Sequence, residues 1–290
     1  MNTILGASGQ VGSAIVSNLL DNSQPVKGIV RNKEKADKLK KTGASVGIAD
    51  IHDKYALAEV LKDSTTVFLL TPETGSEPDI LEDTRKILHN YREAITQWPI
   101  TKIVGLSSIG AQHNSGTGNL VMSYMLEHAF TGLPIKQIFV RPAYYFSNWL
   151  AYADTVKKDR VLPTFFPPNF VIPMISPLDV AAIVADILAD ETITGSQTIY
   201  ELEGPAAYSS KDVADAYSKA LGFKVAVQQV PRQNWEQALQ PLGFSNDGVK
   251  NFIEMTEAVI NGRASREGAD AKNIKGTTSL SEYITHELSK

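Results

Sequence analysis

The chain contains no cysteine. Disulfides, thiolate-held metals, iron–sulfur clusters and a cysteine nucleophile are therefore all excluded. No apolar run approaches the length of a membrane span, and no leader is read at the N-terminus, so a cytoplasmic protein without a membrane partner is expected. Nor is there a surplus of positive charge: 28 Lys and Arg stand against 32 Asp and Glu, a formal net charge of −4 that offers no overall attraction to nucleic acid. The five histidines show no ligand spacing and HExxH is missing, so no metal is expected. No GxSxG elbow marks a hydrolase either. What remains is 290 residues with 43% hydrophobic content, enough to bury a large core.

The most informative stretch is the first. A short apolar strand runs into Gly6-Ala-Ser-Gly9-Gln-Val-Gly12, with Ile15, Leu19 and Leu20 at helical spacing behind it and a second apolar strand from Pro25 to Val30. Gly6 permits a sharp turn, Gly9 lets backbone N–H groups approach a pyrophosphate, and Gly12 lets the helix pack closely on the strand. The anion then rests on the helix N-terminus, lined by Gly6, Ser8, Gly9, Gln10, Val11 and Gly12. Turns collect glycine for other reasons, but the βαβ setting is the one a dinucleotide motif needs.

The expected fold is α/β: a Rossmann-type doubly wound parallel sheet over residues 1–150, with a smaller C-terminal α/β substrate lobe over 151–290 that leaves room for a strand or helix to return to the Rossmann core. At the end of the second strand, where an acidic residue would select NAD, stands Arg31, with Lys35 nearby. This suits a 2′-phosphate and hence NADP(H), the competing reading being a solvated basic helix start. Ser45 to Ala49 reads as the third strand. Asp50 and Ile51 at its end either meet the adenine or begin the next helix. Thr66 to Leu70 is a continuous apolar strand whose carboxyl end brings Thr71 and Pro72 to the cofactor edge.

A fifth strand at 102–106 delivers Ser107 and Ser108 to that edge. Residues 110–118 read as a mobile loop, 120–131 as a helix with Tyr124 and His128 on one face, and 135–140 as a sixth strand leading into Arg141-Pro-Ala-Tyr144-Tyr145. The aromatic residues there, Tyr144 among them, either line a planar acceptor pocket or pack as core. Further on, the proline-rich 163–173 reads as an irregular wall, 176–188 as a helix opened by Ser-Pro, and 198–202 as a short strand. Residues 209–222, 233–262 and 279–288 look helical.

GASGQVG at 6–12, VRNKEKADKL at 30–39, IADIHD at 48–53, IVGLSS at 103–108, VRPAYYFSNWL at 140–150 and ISPLDVAAIVADIL at 175–188 together resemble the NmrA-like, atypical branch of the short-chain dehydrogenase/reductase superfamily. The resemblance is to the bacterial NAD(P)H:quinone oxidoreductases and NADH-flavin reductases within it. It implies a Rossmann fold, NADP(H), and either a reductase or a dinucleotide-sensing regulator working through a protein partner. A homodimer is compatible with it. In the wider superfamily a Ser, a Tyr and a Lys four residues after the Tyr do the chemistry. Ser107 or Ser108 and Tyr124 are the counterparts here, but His128 stands in the Lys place.

A neutral imidazole supplies no permanent charge to stabilise tyrosinate. Losing general acid catalysis costs ketone reduction about a hundredfold or more. Quinones and flavins leave weakly basic anions and suffer less, so hydride transfer to a quinone-like planar acceptor is the favoured reaction. A sugar-nucleotide epimerase, which needs a competent base, suffers most.

Overall fold

The computed structural model describes residues 1–72, 75–268 and 271–290. The N-terminal part alternates strand and helix: β1 (Asn2–Ile4), α1 (Gln10–Asp21), β2 (Val26–Val30), α2 (Lys33–Lys40), β3 (Ser45–Ile48), α3 (Lys54–Leu61), β4 (Thr66–Leu70), α4 (Ile80–Ile95), β5 (Lys102–Leu106), α5 (Leu120–His128) and β6 (Lys136–Pro142). Short two-stranded and helical pieces follow: β7 (Tyr144–Tyr145), a 3₁₀ turn at Phe146–Tyr152, α6 (Ala153–Asp159), β8 (Val161–Thr164), β9 (Ile172–Ile175), α7 (Pro177–Ala189) and β10 (Gln197–Glu203). The chain closes with β11 (Ala207–Tyr208), α8 (Ser210–Leu221), β12 (Ala226–Gln229), α9 (Trp235–Leu239), α10 (Asn246–Ile260), β13 (Lys272–Lys275) and α11 (Leu280–Leu288).

The main sheet has eight strands in the order β13-β10-β6-β5-β4-β1-β2-β3, and every pairing in it is parallel. Its first six strands give the 3-2-1-4-5-6 order of a doubly wound dinucleotide fold, with the reversal of direction between β1 and β4. Parallel strands covered on both faces are apolar throughout. Accordingly Ile4, Val67, Phe68, Leu69, Ile103 and Val104 are almost completely buried. One face packs Ile15, Val16 and Leu19 of α1 against Val180, Val184 and Leu188 of α7; the other packs Leu57, Ile87, Leu88, Tyr91 and Leu126 from α3, α4 and α5.

Sequence periodicity located the alternating elements up to β6, while the short pieces β7, α6, β8, β9, β11 and β13 were not read from it, and three further departures bear on the site. The sixth strand runs on through Arg141 and Pro142, because β10 pairs with it as far as Leu202 and extends the ladder. The stretch 233–262 is not one helix: a 3₁₀ turn at Gln240–Leu242 and the left-handed Gly243 separate α9 from α10. The loop 110–118, expected to be mobile, is tied down by the Gln112 amide donating to the Ser265 carbonyl and the Arg263 guanidinium donating to the Ser115 carbonyl.

The segment after residue 150 is not only a lobe. It sends α7, β10 and β13 back to the main sheet, while Phe146, Trp149, Leu162, Met174, Val213, Tyr217 and Tyr283 form a separate core beside it. Helix signals there act as read: Ser176 caps α7 ahead of Pro177, Ser209 and Asp212 form a capping box on α8, and Gly222 ends α8 in the left-handed conformation. Among the described residues no helix is long and apolar enough to cross a membrane.

A close backbone approach stands at the start of the fold. A Cβ on Gly12 would lie 2.3 Å from the Gly6 carbonyl oxygen and 3.2 Å from the Ala7 Cα, both backbone atoms that cannot swing aside. Gly12→Ala should therefore destabilise the protein by about 1–3 kcal/mol, read as a lowered urea midpoint with an unchanged denaturant slope.

Candidate functional site

The turn after β1 is built so that the first turn of α1 has open amides. Gly6 adopts φ +66°, and a side chain there would strike Leu70 of the neighbouring strand. The Leu5 N–H donates to the Phe68 carbonyl and the Ala7 N–H to the Ile29 carbonyl, pinning the turn between β4 and β2. The Gly9 N–H donates back to the Gly6 carbonyl at 2.9 Å. Gly9 occupies the N-cap and has no side chain to satisfy the free N–H groups, and no acidic residue stands in the first turn of α1. A helix start with open amides and no local anion favours an external one. Gly6, Ser8, Gly9 and Gln10 are exposed along this turn, whereas Val11 and Gly12 are buried beneath it.

Arg31 follows β2, the strand next to β1, and is exposed. It forms no ion pair among the described residues, while nearby Lys38 and Lys40 are engaged by Glu34 and Asp37 on their own helix. Lys35 is half-buried in the first turn of α2, where its backbone N–H is capped by the Asn32 side chain. Asp50 makes a local turn, its carboxylate accepting from the His52 N–H at 2.9 Å; the cap of α3 is Asp53, which accepts from the Tyr55 and Ala56 N–H groups. Ile51 packs its side chain against the core beneath α3 and α4, so a role on an adenine face would fall to its exposed portion. Thr71 is buried and Pro72 half-buried at the end of β4, across the switch point from Gly6.

The three residues expected to do chemistry are not hydrogen-bonded as a triad. The His128 Nδ1–H donates to the Tyr124 carbonyl at 2.7 Å, and the two rings stack with centroids 3.9 Å apart. A carbonyl can only accept, so Nδ1 is the donor in this contact, and His128 is exposed at the end of α5. Ser107 has another partner altogether. Its hydroxyl donates to Oε1 of Glu127 at 2.5 Å.

That carboxylate belongs to a buried network that the sequence reading missed. Arg141, 2% exposed, donates from Nε and Nη2 to the two oxygens of Glu127 at 2.8 and 2.7 Å, and from Nη1 to Glu267. Glu201, fully buried on β10, lies 3.7 Å from the same guanidinium, accepts from the Glu267 N–H at 2.8 Å, and pairs with Arg266. The strand ends of β5, β6 and β10 are thereby joined to residues 263–268, which lie across them. A charged residue, Glu127, directly after the largely apolar stretch 120–126 of α5, and an arginine near the end of an apolar strand, were the available signals.

Beyond Arg141 the aromatic residues divide. Phe146 and Trp149 are core. Tyr144 is half-buried between Trp149 and Phe166, with ring centroids 5.9 and 5.7 Å away, and burial raises its phenol pKa so that the hydroxyl keeps its proton at neutral pH. Tyr145 is also half-buried. Among the described residues no group of three or more His, Asp or Glu is arranged to hold a metal.

A family model described as the NmrA-like family matches residues 2–284. The chain belongs to that family. It is 25% identical over 249 residues to an NAD(P)H azoreductase of Xenophilus azovorans, covering 84% of this chain and 82% of the relative. It is 24% identical over 296 residues to quinone oxidoreductase 2 of Escherichia coli, covering 99% and 98%. An NADPH-dependent quinone oxidoreductase from Escherichia coli, solved in complex with NADPH, superimposes with a TM-score of 0.78 at 23% identity, covering 99% of this chain and all of that one.

The network yields a stability prediction. Arg141→Met leaves Glu127 buried without its cation and Glu201 with Arg266 alone, and should cost about 3–5 kcal/mol. Adding Glu127→Gln should recover part of that loss, because the uncompensated charge goes with it. Chemical denaturation of both single variants and the double variant checks the coupling.

Proposed function

We propose that this NmrA-like protein is an NADPH-dependent oxidoreductase that reduces a planar, quinone-like acceptor. The observation that carries the reading is the pairing of an uncapped α1 N-terminus with the unpaired Arg31 one strand away. The groups present fit a phosphorylated dinucleotide. Glycine at 6 and 12 leaves space where a Cβ would collide, the α1 amides have no side-chain acceptor, and Arg31 has no carboxylate partner among the described residues. When bound, the dihydronicotinamide supplies a hydride.

The remaining work falls to the chain. The amides of the first turn of α1 bind the diphosphate, and Arg31 pairs with the 2′-phosphate, with Lys35 adding positive charge. Asp50 and Ile51 border the adenine, and Thr71 and Pro72 border the middle of the cofactor. Tyr144, protonated and half-buried, is the aromatic side chain best able to lie beside a flat acceptor and donate a hydrogen bond to its oxygen.

The proton inventory favours an acceptor that needs little help. Ser107's hydrogen is committed to the Glu127 carboxylate, and the His128 Nδ1 is taken up by the Tyr124 backbone carbonyl rather than by the Tyr124 hydroxyl. An acceptor whose reduced form is a weak base can be turned over by positioning alone. The names of the azoreductase and quinone oxidoreductase relatives agree with this class of chemistry. A regulatory protein that binds the dinucleotide without turnover has less support, since both relatives are named as reductases.

Stopped-flow oxidation of NADPH with a panel of small quinones tests the proposal, and no turnover above buffer with any acceptor would remove it. Arg31→Ala should weaken NADPH by about tenfold or more while leaving NADH nearly unaffected, since a charge-assisted hydrogen bond contributes about 1.5–3 kcal/mol. Titration calorimetry with both nucleotides reads the difference. Tyr124→Phe should lower quinone turnover by less than about tenfold, below the range of a lost general acid, as steady-state rates would show.

A further inference from the structure

The C-terminal helix α11 reaches the same turn. Its Tyr283, 2% exposed, accepts a hydrogen bond through its hydroxyl from the Gln10 side-chain amide at 3.1 Å, across 273 residues of sequence. Gln10 is the first residue of α1, beside the open amides. The Tyr283 hydroxyl also interacts with the Ser147 side chain, and its ring packs on Phe146, 5.7 Å between centroids.

Tyr283 is held firmly in place. The Thr278 N–H and hydroxyl donate to the Asp179 carboxylate on the first turn of α7, at 2.9 and 2.6 Å. Gly276 lies so close to that carboxylate that a Cβ would meet it at 2.3 Å. Ser279 and Glu282 form a capping box, and the Leu280 N–H donates to the Tyr208 hydroxyl. Helix α7 in turn packs along α1.

We infer that Tyr283 is a positioning residue for the dinucleotide site, holding the Gln10 side chain toward α11 so that it cannot fold back over the α1 amides. The inference rests on the proposed cofactor reading. A glutamine at the first helical position has a carbonyl that can accept from the free N–H groups of its own turn. Freed from Tyr283, it competes with the diphosphate for those donors. The bond also ties the cofactor turn to Phe146 and Ser147, the segment that follows Tyr144, so an occupied diphosphate site and an ordered acceptor wall support each other through one hydroxyl.

The test uses full-length Tyr283→Phe, which keeps the buried ring, together with Gln10→Ala, which removes an exposed side chain. Tyr283→Phe should weaken NADP⁺ binding about 3- to 10-fold, the range of one ordinary hydrogen bond, and raise KM for NADPH more than it lowers kcat. Introduced into Gln10→Ala, it should have no further effect on NADP⁺ affinity. Amide exchange across 280–288 should slow when NADP⁺ binds the wild type and slow less in Gln10→Ala. Unchanged NADP⁺ affinity in Tyr283→Phe, or a full additional loss in the double variant, overturns the assignment. Wild type that binds no nucleotide overturns the cofactor reading itself, and the two failures are thereby told apart.

Discussion

The contact on which the site depends is the seating of Gly12 against the carbonyl of Gly6. With no Cβ between them, the first turn of α1 lies directly against the turn that leaves β1, and a side chain there would meet backbone at 2.3 Å. That closeness fixes the direction of the helix relative to the strand and brings its unsatisfied amides to the sheet edge. The rest of α1 then has one way to bury Ile15, Val16 and Leu19, which is against α7 on the same face. The opening of the α1 amides and the packing of the helix are thus set by the same missing atoms, and neither can be altered without disturbing the other.

A second constraint acts on the opposite side of the switch point. Burying Arg141 with Glu127 and Glu201 carries a large desolvation cost, offset only because nearly every polar atom is satisfied: Glu127 accepts from Ser107 and twice from Arg141, and Glu201 from the Glu267 N–H and Arg266. Such a network is geometrically demanding, so it holds the ends of β5, β6 and β10 at fixed relative heights. It also decides what Ser107 can do. A hydroxyl that donates to a carboxylate has only lone pairs left to offer, which makes it an acceptor toward any further group and a poor source of a proton.

The sheet was legible in the sequence because its signals are local. Val67, Phe68 and Leu69 are apolar on both faces, as a covered parallel strand requires, and the Gly6, Gly9, Gly12 spacing with Arg31 after the second strand can be read within about thirty residues. Arg31, Tyr144 and the glycine turn were all singled out from such patterns. Glu127 was passed over because periodicity places a residue on a helix face without saying what stands opposite, and its partners arrive from β5 and β6. Glu267 is 126 positions from Arg141, and Tyr283 is 273 from Gln10; no window of sequence contains either pair. Asp179 illustrates the same limit: in the sequence it is an acidic residue in a helix first turn, and in the fold its carboxylate receives Thr278.

The late strands explain why these distant partners meet. By adding β10 and β13 beyond β6, the C-terminal half extends the sheet instead of hanging from it, and the connections out of those strands must cross the carboxyl edge. Residues 263–268 come before β13 and α11 comes after it, so one short edge strand puts the Glu267 carboxylate over Arg141 and the Tyr283 hydroxyl over Gln10. An independently folded lobe on a hinge would place its groups at the cleft only when closed. Here the covering groups share hydrogen bonds with the sheet that carries the glycine turn, so the geometry over that carboxyl edge is largely formed in advance. That preorganisation suits a reaction in which alignment, and not proton transfer, has to lower most of the barrier.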